Sequence, residues 1–145
     1  MIDEINLIKK IIAPLSESFS GSLDLTDDAA IINIGSDYDF VISKDAMVAG
    51  THFFQNADPD IIASRLLRSN LSDIAAMGAV PKYYLLSFIA SHKVTTDFID
   101  KFYHALGQEQ HKYNLCLIGG DTVSVNIDDY PLTISLTIIG QIKTG

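Results

Sequence analysis

Asn70-Leu71-Ser72-Asp73-Ile74-Ala75-Ala76-Met77-Gly78-Ala79-Val80-Pro81 closes a helix and leaves a carboxylate where a helix gains nothing from one. Apolar residues recur at helical spacing from Pro59 onward (Ile62, Leu66, Leu67, Leu71, Ile74, Met77), and Gly78 followed by Pro81 supplies the C-terminal stop. Asp73 therefore falls in the last turns, at the negative end of the helix dipole. Its neighbours one turn away, Ser69, Asn70, Ala76 and Met77, include no cation. Compensation has to come from outside the helix, unless Asp73 is simply a hydrated residue of an exposed edge.

Upstream, Asp58-Pro59 offers an N-cap and a proline at the first helical position. Two short apolar strands precede it, Ala29 to Ile34 and Phe40 to Ser43, joined as a hairpin by Gly-Ser-Asp-Tyr-Asp. Ile2, Ile5, Ile8, Ile11 and Ile12 form the stripe of a first amphipathic helix that closes before Pro14, and a Ser/Gly-rich connection (Ser16 to Ser22) comes after it. Downstream, Lys82 to Ala90 reads as a strand covered on both faces. Thr95-Thr96-Asp97 opens a helix reaching Lys112, with Phe98, Phe102, Leu106 and Tyr113 as its inner stripe. A buried strand, Leu115 to Ile118, runs into Gly119-Gly120-Asp121. A last strand, Leu132 to Ile142, alternates Thr and Ser with Leu and Ile and reads as an edge open to a second copy of the chain. The expected fold is α/β, a mixed sheet with helices packed on one face, in the order α-β-β-α-β-α-β-β.

A chain of 145 residues, 48% hydrophobic, can bury one proper core, so residues 1–145 read as a single domain. Ten basic against eighteen acidic residues leave a net charge of -8, which disfavours nucleic acid as a direct partner while leaving metal-bridged phosphates open. The lone cysteine, Cys116, stands in an apolar run. It reads as buried core, rules out a disulfide framework or Cys-rich zinc site, and fits a reducing, cytoplasmic setting. Neither a signal peptide nor a run of membrane length is apparent.

Four carboxylates fall at strand or helix ends: Asp28, beside Asp27, before the first strand, Asp45 after the second, Asp73 late in a helix and Asp121 after the Gly119-Gly120 pair. Taken singly, each is an ordinary loop or capping residue. Taken together they imply one rim of a sheet where oxygen ligands gather, which suits hard Mg²⁺ and, through it, a polyphosphate. Glycines 119 and 120 would let backbone N–H groups approach phosphate oxygens. No G-x-x-x-x-G-K-[ST] or G-x-G-x-x-G sequence occurs, and no serine sits in a nucleophile elbow. His92, His104 and His111 read as surface residues, whereas His52, just beyond Asp45, is a candidate ligand contact.

Asp27-Asp28-Ala29-Ala30-Ile31, Ile42-Ser43-Lys44-Asp45, Gly50-Thr51-His52-Phe53, the stretch from Asn70 to Pro81, and Ile118-Gly119-Gly120-Asp121-Thr122, in this order, closely resemble the N-terminal half of thiamine-monophosphate kinase. That family belongs to the wider superfamily of aminoimidazole-ribonucleotide synthetase and selenophosphate synthetase. The resemblance covers essentially the whole chain. It implies an N-terminal ATP- and magnesium-binding domain of a phosphotransferase, whose C-terminal domain is not in this chain. The implied reaction is ATP-dependent phosphorylation of thiamine monophosphate to the diphosphate by direct in-line transfer. The implied metal ligands are Asp28, Ser43, Asp45, Asp73 and Asp121, with Lys44 through its backbone alone. His52 would contact the substrate phosphate, and Tyr103, Gly120 and Asp121 would face ATP. The resemblance also implies a homodimer whose two sheets complete a barrel. Two departures from the family pattern stand out: Asp24-Leu25-Thr26 replaces the glycines that usually precede the Asp-Asp pair, and Lys44 replaces a threonine. The competing readings are a sibling ATP-dependent synthetase and a non-catalytic magnesium- and nucleotide-binding dimerisation module.

Overall fold

A computed structural model of the chain describes residue 23, residues 29–33 and residues 37–145. The first expected helix, the Ser/Gly connection, Ile34, Asp27 and Asp28 lie outside the described residues. The described elements are β1 (Ala30–Asn33), β2 (Tyr38–Val48), α1 (Pro59–Ala76), β3 (Val80–Ser91), α2 (Thr96–Lys112), β4 (Cys116–Val125) and β5 (Thr133–Lys143). The strands form a five-stranded mixed sheet in the order β1-β2-β5-β3-β4, in which β3 and β4 run parallel and the other described pairs antiparallel.

Helix α1 begins and ends where its sequence punctuates it. Asp58 occupies the N-cap position without a side-chain capping bond, and Pro59 is the first helical residue. At the far end Gly78 takes φ +66°, a conformation that costs a residue with a Cβ, and the amides of Gly78 and Ala79 close onto the carbonyls of Ala75 and Ile74. Helix α2 is capped by Thr95, whose Oγ1 accepts from the Phe98 amide at 3.2 Å. Both helices lie on one face of the sheet. There Ile62, Leu66, Leu67 and Ile74 of α1 and Phe102 and Leu106 of α2 are buried with Val41, Tyr84, Leu86, Phe88, Ile134, Leu136 and Ile138. Phe88 and Phe102 meet edge to face, 5.3 Å between centroids. Arg68 and the buried Glu109 join the two helices through a two-point ion pair.

Several expectations are corrected. β5 is no edge: it lies in the middle of the sheet, antiparallel to β2 on one side and to β3 on the other, and its Thr/Ser face is the outer face of the sheet. β3 is covered on one face only, for Tyr83 and Leu85 are exposed while Tyr84, Leu86 and Phe88 are buried. Gly119-Gly120-Asp121 lies inside β4 rather than after it, because pairing with β3 continues to Val125. Cys116, at the start of that edge strand, is exposed. β2 also runs five residues past its expected end at Ser43, since β5 pairs with it along its whole length, so Asp45 lies within the strand.

Candidate functional site

Strand and helix periodicities together build the site. Ser43 and Asp45, two residues apart on β2, share the face that looks toward α1, while Ser69 and Asp73, four apart on α1, share the side that looks back. The four side chains pair crosswise. Ser43 Oγ donates to Asp73 Oδ2 at 2.8 Å, and Ser69 Oγ donates to Asp45 Oδ2 at 2.9 Å. Ser43 is buried and the other three are half-buried. The helix-end carboxylate thus receives its compensation from a strand hydroxyl. Asn70, fully buried beside them in sequence, donates to the Leu66 carbonyl, and its Oδ1 has no partner among the described residues.

Lys44, between Ser43 and Asp45, points the other way, as alternation along a strand requires. Its Nζ donates to Ser135 Oγ at 2.8 Å and approaches Thr137 Oγ1 at 3.4 Å on the outer face of β5. Ser135 Oγ in turn donates to the Asp45 carbonyl at 3.0 Å. The ammonium therefore does not occupy the space between the two aspartates.

His52 sits in the turn after β2. The Val48 amide donates to its Nδ1 at 3.0 Å, so the ring proton resides on Nε2, which is exposed and free to donate outward. Tyr103, Gly120 and Asp121 share a cleft of about 230 Å³ with Leu86, Leu117, Gly119 and Thr122. Gly120, at φ +153°, brings β4 so close to β3 that a Cβ there would collide with the Leu86 carbonyl.

The expected gathering of four carboxylates is therefore only partly met. The structure sets Asp45 and Asp73 on facing elements, each held by a serine of the other. Asp121 stands in register with Ser87, Ser135 and Ala46, three strand spacings or roughly 14 Å from β2. Among the described residues no three His, Cys, Asp or Glu side chains come together as metal ligands. The oxygen-only set of Ser43, Asp45, Ser69 and Asp73 nevertheless has the chemistry a hard divalent cation takes. His92, His104 and His111 are exposed, as expected. A wider cleft of about 430 Å³, under the β4–β5 connection, is lined by Phe53, Phe98, Tyr130, Lys93 and Asp128 among others and holds none of the expected ligands. Among the described residues no helix is long and apolar enough to cross a membrane.

Ser69 escapes a reading of the sequence, because a helix-interior serine carries no signal of its own. The spacing that reveals it is four residues to Asp73, facing a strand with Ser-x-Asp.

Comparison with known proteins places these features in context. The family model for AIR synthase related protein, N-terminal domain, matches residues 26–142. Thiamine-monophosphate kinase of Caulobacter vibrioides is 37% identical over 142 residues, 98% of this chain and 40% of its own length. The Bacillus subtilis protein of the same name is 34% identical over 145 residues, 99% of this chain and 44% of its own length. The chain thus spans less than half the length of these relatives. A solved structure of AaThiL complexed with AMPPCP and TMP superposes on 99% of this chain and 45% of its own, with a TM-score of 0.81 at 19% identity, which establishes a shared fold.

Proposed function

The chain belongs to the AIR synthase related proteins, of which it carries the N-terminal domain, and we propose that it is the ATP- and magnesium-binding half of a kinase that phosphorylates thiamine monophosphate to the diphosphate. The observation that carries this reading is the crosswise pairing that draws together Ser43, Asp45 and Asp73, three of the metal ligands that the resemblance implies, with Ser69 as the fourth member. The curated relatives of that name support it. So does the AaThiL structure, whose bound AMPPCP and TMP are an ATP analogue and a monophosphate.

In this reading Ser43, Asp45 and Asp73 would hold Mg²⁺ with oxygen ligands, together with Asp28 and the Lys44 backbone, and Asp121, three strands away, would serve a separate Mg²⁺ beside the nucleotide. When bound, the metal neutralises phosphate charge and aligns the transferred group, and no covalent intermediate is needed. The His52 Nε2–H donates to the substrate phosphate. Tyr103 and Gly120 receive the nucleotide in their cleft. The work is positional, in a cytoplasmic setting.

The same reading includes a homodimer. The outer sheet face carries the exposed apolar side chains of Tyr83, Leu85 and Val123. A second copy laid on that face would cover them and complete a barrel. Light scattering of the wild type and of Leu85→Glu checks this: the expected outcome is a dimer that the charge splits, and a monomeric wild type refutes it.

Calorimetric titration with AMPPCP, with and without Mg²⁺, tests the site. Binding should require both components and should be lost in Asp73→Asn and in Asp121→Asn. Binding unchanged by either substitution would remove the carboxylates from the site.

A further inference from the structure

Asp45 is held at both ends. Its main-chain carbonyl accepts from Ser135 Oγ at 3.0 Å, and that hydroxyl accepts from Lys44 Nζ at 2.8 Å, so the backbone is fixed from the outer face of the sheet. Its carboxylate is fixed from the inner face, where Ser69 Oγ donates to Oδ2 at 2.9 Å. A hydroxyl has one proton to give, and Ser69 spends it on Oδ2, leaving Oδ1 to face a cation. Ser43 makes the mirror-image bond to Asp73, yet the two serines are not equivalent. Ser43 is among the residues read as metal ligands, whereas nothing assigns Ser69 a part.

We propose that Ser69 is a positioning residue, which acts through Asp45 by locking that carboxylate in the orientation a divalent cation requires. The inference rests on the reading of Asp45 and Asp73 as metal ligands and adds to it the partner that orients one of them. Carboxylates that bind metals are themselves commonly hydrogen-bonded, and losing such a partner costs metal affinity even though the ligand remains. An unrestrained Asp45 side chain would have to be ordered by the metal itself, which lowers affinity by the entropy of freezing its rotamers.

The test is Mn²⁺ binding to the 145-residue chain, alone and with AMPPCP, read by water-proton relaxation. Three variants accompany the wild type. Ser69→Ala removes the donor, Ser69→Thr keeps it, and Ser64→Ala removes a different α1 hydroxyl, one that approaches Glu109 at 3.5 Å and is remote from Asp45. We expect Ser69→Ala to weaken Mn²⁺ binding about tenfold or more, Ser69→Thr to stay within about threefold of wild type, and Ser64→Ala to leave affinity unmoved. Thermal melting of all four proteins in the absence of metal separates this from a general loosening of α1 against the sheet, in which Ser64→Ala and Ser69→Ala would lose affinity alike. Equal loss in those two overturns the proposal, as does equal loss in Ser69→Ala and Ser69→Thr. A wild type that binds Mn²⁺ while Ser69→Ala matches it within about twofold overturns this inference alone. A wild type that takes no Mn²⁺ under either condition overturns the metal reading and this inference with it.

Discussion

Gly120 offers the sharpest test of how β4 is built, because its neighbour Gly119 serves as an internal control. Gly119 has φ +158°, as unfavourable for a residue with a Cβ as the φ of Gly120, but a Cβ there would meet only Leu85 Cδ2, at 3.3 Å, the tip of a side chain that can turn away. Gly120 has φ +153°, and its Cβ would strike the backbone of Leu86, which cannot turn away. Leu86 belongs to β3 and is paired on its other side with Leu136 of β5. Admitting a methyl at 120 therefore means parting β3 from β4. Backbone strain at such a position costs about 1–3 kcal/mol, and each ladder hydrogen bond lost adds about 0.5–1.5 kcal/mol. The φ strain applies to both glycines and the ladder loss to Gly120 alone, which places Gly120→Ala at about 2–4 kcal/mol of destabilisation and Gly119→Ala lower by about 0.5–1.5 kcal/mol.

Urea unfolding reads the difference. With a slope of about 1–3 kcal/mol per molar, Gly120→Ala should lower the midpoint by about 1 M or more. Hydrogen exchange should show the loss concentrated in the amides of β4, which sits at the sheet edge and can open without global unfolding. Because Gly120 and Asp121 line the cleft with Tyr103, AMPPCP affinity should fall with it. If Gly120→Ala proves no more destabilising than Gly119→Ala, the close approach of the two strands is not a feature of the folded chain.

Three further outcomes rest on individual contacts. The hydrogen bond from Arg68, ahead of every other cause, holds the Glu109 carboxyl below its ordinary 4.5. A depressed carboxylate contributes stability above that value and loses it as pH falls through the folded one, so Glu109→Gln should be less stable than wild type at neutral pH, with a gap in urea midpoints that closes in acid; a constant gap refutes the pairing. Burial pushes the Tyr84 hydroxyl up to about 12, where it donates to Gln110 Oε1 at 2.9 Å. Since the folded value exceeds the ordinary 10.0, stability should fall as pH rises from about 10 toward 12, and Tyr84→Phe should flatten that fall in alkaline melting curves. Lys44→Thr should leave Mg²⁺ affinity within about twofold of wild type by calorimetry, because the ammonium lies on the far face of β2; tightening by about tenfold, some 1.4 kcal/mol, would refute that placement.

Much of this architecture is legible in the sequence. The limits of α1 come from Pro59 and Gly78, the cap of α2 from Thr95, and the order of the described elements from hydrophobic periodicity. The position of β5 is not legible, for a physical reason. A central antiparallel strand with one packed face and one open face alternates as an edge strand does, and its two neighbours, β2 and β3, are 42 or more residues away along the chain. Pairing partners so distant leave no mark on local pattern. The same limit explains β4: two adjacent glycines signal a turn, yet ladder bonds to β3 carry the strand through them. Cys116 reads as core because its neighbours are apolar, but apolar residues at a sheet edge stay exposed until something covers them.

Lys44 shows how much a strand assignment settles by itself. Competition between its ammonium and a metal at Asp45 requires both side chains on one side of the chain. Once Ser43-Lys44-Asp45 is strand, period-two alternation forbids that, whatever the length of the lysine stem. What sequence alone does not supply is the use found for the charge. The lysine donates to Ser135, and Ser135 donates to the Asp45 carbonyl, so a residue on the outer face steadies the backbone of a residue on the inner one. β5 itself contributes no expected ligand. Its Leu136 and Ile138 are buried in the core with α1, while its Ser135 fixes the strand opposite. The separation of β2 from α1, on which both crosswise hydrogen bonds depend, is therefore set by the one strand whose place in the sheet the sequence conceals.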